Sequence, residues 1–434
     1  MSTLTLTPRP RTTDRLAALP VVVIGAGPVG LAAAAHLVDR GIDHVVLEAA
    51  SGPAAAVEQW GHTRLFSAWR EVVDPVARRL LEATGWTMPA NEGRAPSGHE
   101  LVREYLRPLA QLPEIAATIR YGARVSAVAR EGMDRTRSAG RETTPFLVRV
   151  DTGGHRAHLL ARAVLDASGT YGSPNPLLST GLEPAADPAV AARVTHALPD
   201  VLGRDRDLFA GHHAVVVGAG HSAANTLISL VRLQRDEPRT RITWLIRNAT
   251  AVRVSSSGDD DLVGRAQLGA RVDRYVAAGV VDKIDSFEIA DVSATTHGIR
   301  LSGTRRGEPS VVDADIVVNA TGFRPDLSAL REIRTDLDAI VEAPRSLAPL
   351  IDPNVHSCGT VEPHGFRELT HPEHGFFIVG MKSYGRAPTF LLATGYEQVR
   401  SVVAWLSGDL ASASRVQLTL PATGVCSTDA GGCC

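Results

Sequence analysis

The chain has 434 residues, 44% of them hydrophobic, which is enough to bury large cores and to form two or more domains. A formal net charge of −2 gives no electrostatic case for nucleic acid or an anionic membrane surface as partner. No apolar run reaches the roughly 20 residues of a membrane span, so the expectation is a soluble, cytoplasmic protein.

Residues 1–19 carry Arg9, Arg11, Arg15 and two prolines without an apolar run, and read as a flexible leader instead of a signal peptide. The apolar stretch Val21-Val-Val-Ile24 then predicts a strand. Gly25-Ala-Gly-Pro-Val-Gly30, a helix over Val29 to Asp39 and a second strand, His44 to Leu47, complete a βαβ unit that ends at Glu48. In such a unit Gly25 permits the tight turn, Gly27 lets the backbone approach a pyrophosphate, and Gly30 allows close helix–strand packing. A diphosphate there would sit on the helix N-terminus. Glu48 falls where a carboxylate accepts hydrogen bonds from an adenosine ribose and repels a 2′-phosphate, which favours FAD or NAD.

A helix-like aromatic region follows from Glu58 to Glu82, and a second helix covers about Gly98 to Ala110. Strands are expected over Thr118 to Val128 and Phe146 to Val150, joined by a polar Arg/Gly-rich hairpin, before Ala163-Val-Leu-Asp-Ala-Ser-Gly169. Residues 172–211 are rich in Pro, Gly and Asp and read as a connection.

A second fingerprint, Gly218-Ala-Gly-His-Ser-Ala223, follows the strand Ala214 to Val217 and opens a helix over Ser222 to Leu233. Gly218, Gly220 and Ser222 are its nucleotide-binding candidates. Its second strand, Ile242 to Ile246, ends at Arg247 instead of an acid. A guanidinium matches a phosphate bidentately, so Arg247 suits the 2′-phosphate of NADP, with NADH kept as the alternative. Only Lys283 and Lys382 among the forty-five basic residues are lysines, so arginine is this chain's default cation. A helix at about 262–278 and a meander over Phe287 to Leu301 and Val311 to Val318 lead to Asn319-Ala-Thr-Gly-Phe-Arg-Pro-Asp326.

With both fingerprints, Asp166-Ala-Ser-Gly169 and Ala320-Thr321-Gly322 in this order, the chain resembles the flavin-containing monooxygenase-like branch of the two-dinucleotide-binding flavoproteins over roughly residues 20–410. The resemblance implies an α/β fold with two Rossmann-like, three-layer ββα domains. The FAD-binding domain (20–205 and 325–410) would be interrupted by an NAD(P)-binding domain (206–324), between the leader and a tail at 411–434. It places Thr321 and Gly322 at the return to the flavin domain and adds Val125 to the cofactor-binding set. It also puts Glu58 to Ser67 over the flavin, with Gln59, Trp60 and Arg64 as the candidates there. A cation near the flavin would stabilise its reduced form, which makes Arg64 a catalytic candidate. The segment Met381 to Tyr396 would line the flavin, above a helix over Thr394 to Leu406. The family's Phe-x-Gly-x-x-x-His signature is matched only at His196, without its Phe and Gly.

Val355-His-Ser-Cys-Gly-Thr-Val361, Gly380 to Pro388 and Thr394 to Val399 are similar to flavoproteins encoded in bacterial arsenic-resistance clusters, a group that also ends in cysteines. Three of the four cysteines, Cys426, Cys433 and Cys434, lie in the last nine residues; the fourth is Cys358. Thiolates are soft ligands, so Cys426, Cys433 and Cys434 are candidates for holding trivalent arsenic, and Cys433 and Cys434 for redox exchange with the flavin. His356, His364, His371 and His374 lack the spacing of a metal site, and Pro372 interrupts any helix there.

These readings converge on an FAD-dependent, NADPH-using oxidoreductase. Three activities stay open. The first is oxygenation of a soft nucleophile such as an arsenical, with molecular oxygen as co-substrate. The second is dithiol-dependent metalloid or disulfide reduction through the tail. The third is non-catalytic carriage of arsenic. No Cys-x-x-Cys or Cys-x4-Cys lies beside either fingerprint, which favours the oxygenase. A small-molecule substrate and a homo-oligomer complete the expected partners.

Overall fold

A computed structural model describes residues 12–249, 263–352, 363–387 and 390–418. Sixteen strands are found among the described residues. The first seven are β1 (Val21–Ile24), β2 (His44–Leu47), β3 (Ile119–Arg120), β4 (Arg124–Arg130), β5 (Phe146–Thr152), β6 (His155–Ala161) and β7 (Ala163–Asp166). They are followed by β8 (Val194–Thr195), β9 (His213–Val217), β10 (Arg241–Leu245), β11 (Asp282–Ile284), β12 (Phe287–Ala294), β13 (Ile299–Arg305), β14 (Glu308–Ala314), β15 (Ile316–Asn319) and β16 (Phe376–Ile378).

Two five-stranded parallel sheets carry the architecture, in the orders β16-β7-β1-β2-β3 and β11-β10-β9-β15-β8. Each is accompanied by a three-stranded antiparallel sheet, β4-β5-β6 and β12-β13-β14 respectively. The period-2 alternation of strand side chains explains the layering. In β1, Val21 and Val23 pack into a core with the helices Pro28–Asp39 and Leu392–Leu406, while Val22 and Ile24 face Val128, Phe146 and Val148 of the antiparallel sheet. The second unit repeats the scheme. Ala214 and Val216 of β9 meet the helix His221–Asp236, and Val215 and Val217 meet Phe287, Ile289 and Leu301. Both faces of each parallel sheet are covered, which is why these strands are continuous apolar runs.

The fold is therefore α/β with two Rossmann-like units, as expected. The chain leaves the first sheet after β7, builds the second, and returns to pair β16 alongside β7. Val194–Thr195 lies before residue 206 in sequence, yet pairs with β15 at the edge of the second sheet.

Some local expectations are corrected. Thr118 to Val128 is not one strand: Gly122, at φ +65°, turns the chain so that β3 extends the parallel sheet and β4 starts the antiparallel one. The region Glu58 to Glu82 is not one helix but three, Ala55–Gln59, Trp69–Val72 and Pro75–Glu82. The last has Asp74 as its N-cap, accepting from the Val76 and Ala77 amides at 2.9 Å, with Pro75 at its first position. Gly98 to Ala110 is helical throughout but passes through a π-turn over Val102–Leu106. Pro108 cannot donate to Glu104, and the freed Glu104 carbonyl accepts the Trp86 indole N–H at 2.8 Å. β6, with its His and Arg side chains, had no apolar alternation to announce it.

Candidate functional site

The first fingerprint is built by close approach of backbones. Gly25 has φ +98°, and a Cβ there would lie 2.9 Å from the Ala167 carbonyl oxygen; at Gly30 it would run into the Gly25 carbonyl. Gly27 differs, since a Cβ there would meet nothing within 4 Å. No protein contact accounts for that glycine, and the open space in front of it, at the N-terminus of Pro28–Asp39, fits a diphosphate. Glu48 closes the far side. Its carboxylate accepts the Ala26 amide at 2.7 Å and the Ala50 amide at 2.8 Å, which fixes it across the glycine turn at the carboxyl end of β2. Val125 lies close by through Ala123, whose amide donates to the Glu48 carbonyl at 2.8 Å. The residues present thus fit the adenosine diphosphate part of FAD.

Gly218 has φ +129°, and a Cβ there would collide with the Ala320 carbonyl; Gly220, like Gly27, faces open space. The buried Trp244 indole donates to the Gly218 carbonyl at 2.7 Å and pins the second turn. Ser222 accepts the Thr226 hydroxyl through its carbonyl at 2.9 Å. Arg247 is exposed at the end of β10, with its guanidinium donating to the Ser179 carbonyl at 3.3 Å. The bare backbone at Gly220, at the N-terminus of His221–Asp236, fits the diphosphate of a second dinucleotide.

Two chain crossings join the units, and they are laced together. The Thr321 hydroxyl donates to the Asn319 side chain at 2.7 Å, the Asn319 amide group donates to the Asn175 carbonyl at 2.8 Å, and the Asn175 amide donates to the Gly322 carbonyl at 2.9 Å. His196 stacks on Phe323 at 5.4 Å and lies 4.4 Å from the Tyr171 ring, so it belongs to this junction. Phe323 belongs to the Asn319 to Asp326 motif read from sequence, whereas Asn175 and Tyr171 were not singled out, because an Asn or aromatic in a turn-rich stretch carries no periodic signal; Trp244 read only as one residue of the strand Ile242 to Ile246.

The loop of the flavin-facing candidates lies between the units. Phe66 meets the His221 ring edge-on at 5.1 Å. Burial holds His62 below its usual range, against the opposing charges of Asp200 and Asp205. Trp60 is half-buried with its ring against Gly98, and Gln59 is exposed. Arg64 is 55% exposed; it donates to the Ala95 carbonyl and faces Glu100 at 3.6 Å. Glu100 is already held down to about 2, chiefly by its hydrogen bond from Arg94. Among the described residues, the polar partners of Arg64 are these surface groups.

Beneath the first fingerprint is a group around Lys382, a residue inside the Met381 to Tyr396 segment expected to line the flavin but not itself singled out from sequence. Lys382 Nζ donates to Asp166 Oδ2 at 2.7 Å and to Ser168 Oγ at 3.1 Å, with both charged side chains about 4% exposed or less. Its rarity in an arginine-rich chain was the available signal. Glu373 forms another buried cluster, bonded by Arg130 and Arg141, each at 2.7 Å. It ties the antiparallel sheet to the chain entering β16. His371 and His374 lie in this turn, and among the described residues no group of His, Cys, Asp and Glu is arranged to hold a metal. Cys358, Cys426, Cys433, Cys434 and His356 lie outside the described residues. No described helix is long and apolar enough to cross a membrane.

Comparison with known proteins agrees with this geometry. The curated FAD-dependent monooxygenase nscC of Aspergillus fumigatus is 26% identical over 304 residues, covering 63% of this chain and 69% of that protein. Among solved structures, the bacillithiol disulfide reductase Bdr (YpdA) of Bacillus cereus superposes with a TM-score of 0.66 at 20% identity, covering 90% of this chain and 99% of that one. DfoA, the cadaverine monooxygenase of Erwinia amylovora solved with FAD, gives 0.64 at 14% identity, covering 94% and 99%. At these identities the two structures speak for the fold alone. The model of the pyridine nucleotide-disulphide oxidoreductase family matches residues 22–358, which span both fingerprints and both crossings. The chain belongs to that family, and is an FAD-dependent oxidoreductase served by a pyridine nucleotide.

Proposed function

We propose that the protein is an NADPH-using flavin monooxygenase acting on a soft nucleophile, with an arsenical as the substrate class. The first unit (20–205 and 325–410) holds FAD and the inserted unit (206–324) receives NADPH, whose 2′-phosphate meets Arg247. FAD bound there would supply two-electron transfer from the nicotinamide to oxygen. The overall balance is NADPH, a proton, O2 and substrate giving NADP⁺, water and the singly oxygenated product; for a trivalent arsenical, arsenic is the atom oxidised. Gly27 and Gly220 leave the backbone bare for the two diphosphates. Phe66, against the His221 ring, brings the Glu58 to Ser67 loop onto the second unit, where it would screen the junction from water.

The observation that carries the oxygenase reading is the placement of cysteine. All four cysteines lie at or beyond position 358, and no Cys-x-x-Cys or Cys-x4-Cys lies beside either fingerprint in sequence. Flavin disulfide reductases of the Cys-x-x-Cys and Cys-x4-Cys kinds place such a pair next to the flavin. The clustering of Cys426, Cys433 and Cys434 favours a role in capturing the metalloid, and keeps thiol-dependent reduction as the second reading.

The test is anaerobic reduction of the purified holoprotein with NADPH, followed by 18O2 with and without arsenite. Label in the arsenate, with NADPH oxidation matched to product, is the expected result. Oxygen uptake that is indifferent to arsenite would remove the arsenical. Arsenite-dependent turnover without oxygen that is abolished by Cys433→Ser/Cys434→Ser would establish the thiol route instead.

A further inference from the structure

We propose that Lys382 is an FAD-binding residue whose ammonium donates to an oxygen of the cofactor's diphosphate–ribityl chain while holding the Asp166–Ser168 turn under the first fingerprint. The proposal rests on the assignment of FAD to that fingerprint. Asp166 ends β7, in register with Ile24 of β1 on one side and Ile378 of β16 on the other. The Ala167 amide donates to the Ile24 carbonyl at 3.0 Å, and the Val379 amide to the Asp166 carbonyl at 3.0 Å. The ammonium therefore lies at the carboxyl ends of three adjacent parallel strands, the edge over which ligands of open α/β sheets bind.

Neighbouring contacts give the same placement. A Cβ on Gly25 would touch the Ala167 carbonyl and lie 3.1 Å from Ser168 Cα, so the Lys382-bonded turn is the wall against which the glycine turn is folded. Gly380, two residues before Lys382, packs on Val29 of the fingerprint helix. An ammonium carries three donors. Among the described residues Lys382 has two acceptors, Asp166 Oδ2 and Ser168 Oγ, although its side chain is 4% exposed. A buried donor without an acceptor is costly, and a buried ion pair is weak as a source of stability, so the arrangement fits a third acceptor supplied by the ligand. The residue type agrees: where the chain otherwise uses arginine, a compact point charge with three rotatable donors serves a crowded, three-way site better than a planar fork.

The experiment is FAD titration of apoprotein, followed by flavin fluorescence, for wild type, Lys382→Met and the charge-balanced Asp166→Asn/Lys382→Met. Circular dichroism and thermal unfolding check that each apoprotein is folded. Direct bonding to FAD predicts that both variants lose affinity about tenfold or more, since the double variant restores charge balance without restoring the donor. A double variant that binds FAD like wild type would show that Lys382 only neutralises Asp166, and would overturn the proposal. Wild-type protein labelled with ε-15N-lysine decides the matter even if the variants do not fold. It carries two lysines, so one ammonium resonance should shift on FAD addition while that of Lys283 stays; two unmoved resonances would also overturn the proposal. Wild-type apoprotein that takes up no FAD would instead refute the cofactor assignment itself.

Discussion

Asn175 and Thr321 bind the two interdomain crossings to each other reciprocally: the Asn175 side-chain amide donates to the Thr321 carbonyl at 3.2 Å, and the Thr321 hydroxyl donates to the Asn175 carbonyl at 3.1 Å. Each crossing is thus held by the other, between the two sheets that carry the fingerprints. Thr321→Val keeps the shape of the side chain and removes its hydroxyl bonds to Asn175 and Asn319. Each acceptor keeps another donor, the Asn319 amide group at the Asn175 carbonyl and the Thr321 backbone amide at the Asn319 side chain, so the expected cost is that of a lost hydrogen bond, about 0.5–1.5 kcal/mol. The check is a lowered melting temperature together with a changed rate of flavin reduction by NADPH at saturating nucleotide.

Gly27→Ala and Gly30→Ala separate cofactor approach from folding. A methyl group at Gly27 meets no protein atom, so the apoprotein should keep its melting temperature and lose FAD affinity. At Gly30 the same methyl enters the Gly25 carbonyl, and folding of the first unit should suffer with or without FAD. Equilibrium FAD titration and apoprotein unfolding, measured on both variants, distinguish the two outcomes.

Arg247→Gln should raise KM for NADPH about tenfold or more and leave KM for NADH nearly unchanged, because only the former presents a 2′-phosphate for a charge-assisted bond. The Ser179 carbonyl that Arg247 touches is a backbone group and does not depend on the substitution. Equal effects on both nucleotides would place the 2′-phosphate elsewhere.

Burial pushes the His371 imidazole down to about 4. Its Nδ1 accepts the Asp336 amide at 3.2 Å, so the folded state keeps it neutral. In the unfolded chain a histidine titrates at roughly 6.5, so between these values the unfolded state binds the extra proton. The stability is therefore present above about pH 6.5 and is lost as pH falls toward 4, at about 1.4 kcal/mol per pH unit. His371→Asn retains an acceptor for Asp336 and should flatten part of the fall in unfolding free energy between pH 7 and 5. His44, His62 and His213, also lowered by burial, contribute in the same direction.

Glu373→Gln removes the charge that Arg130 and Arg141 share. Both guanidiniums are buried, with Arg130 at 1% and Arg141 at 4% side-chain exposure, so the loss should be about 3–5 kcal/mol. The measurement is a lowered denaturant midpoint at unchanged m-value.

The sequence by itself determined both βαβ units, their order, the acid at Glu48 and the arginine at Arg247, because these follow from contiguous signals: apolar strand, glycine turn, alanine-rich helix. The three-layer arrangement was expected from the resemblance, and the continuous apolar runs Val21 to Ile24 and Ala214 to Val217, whose side chains point alternately to two covered faces, agree with it. Where local signals conflicted, reading from sequence failed. Thr118 to Val128 looked like one strand, but Gly122 turns the chain and divides it between two sheets. Only the tertiary structure paired Lys382 with Asp166, Glu373 with Arg130 and Asn175 with Thr321. Those partners lie more than a hundred residues apart, and burial selects them by shape and charge, which leaves no periodic trace along the chain.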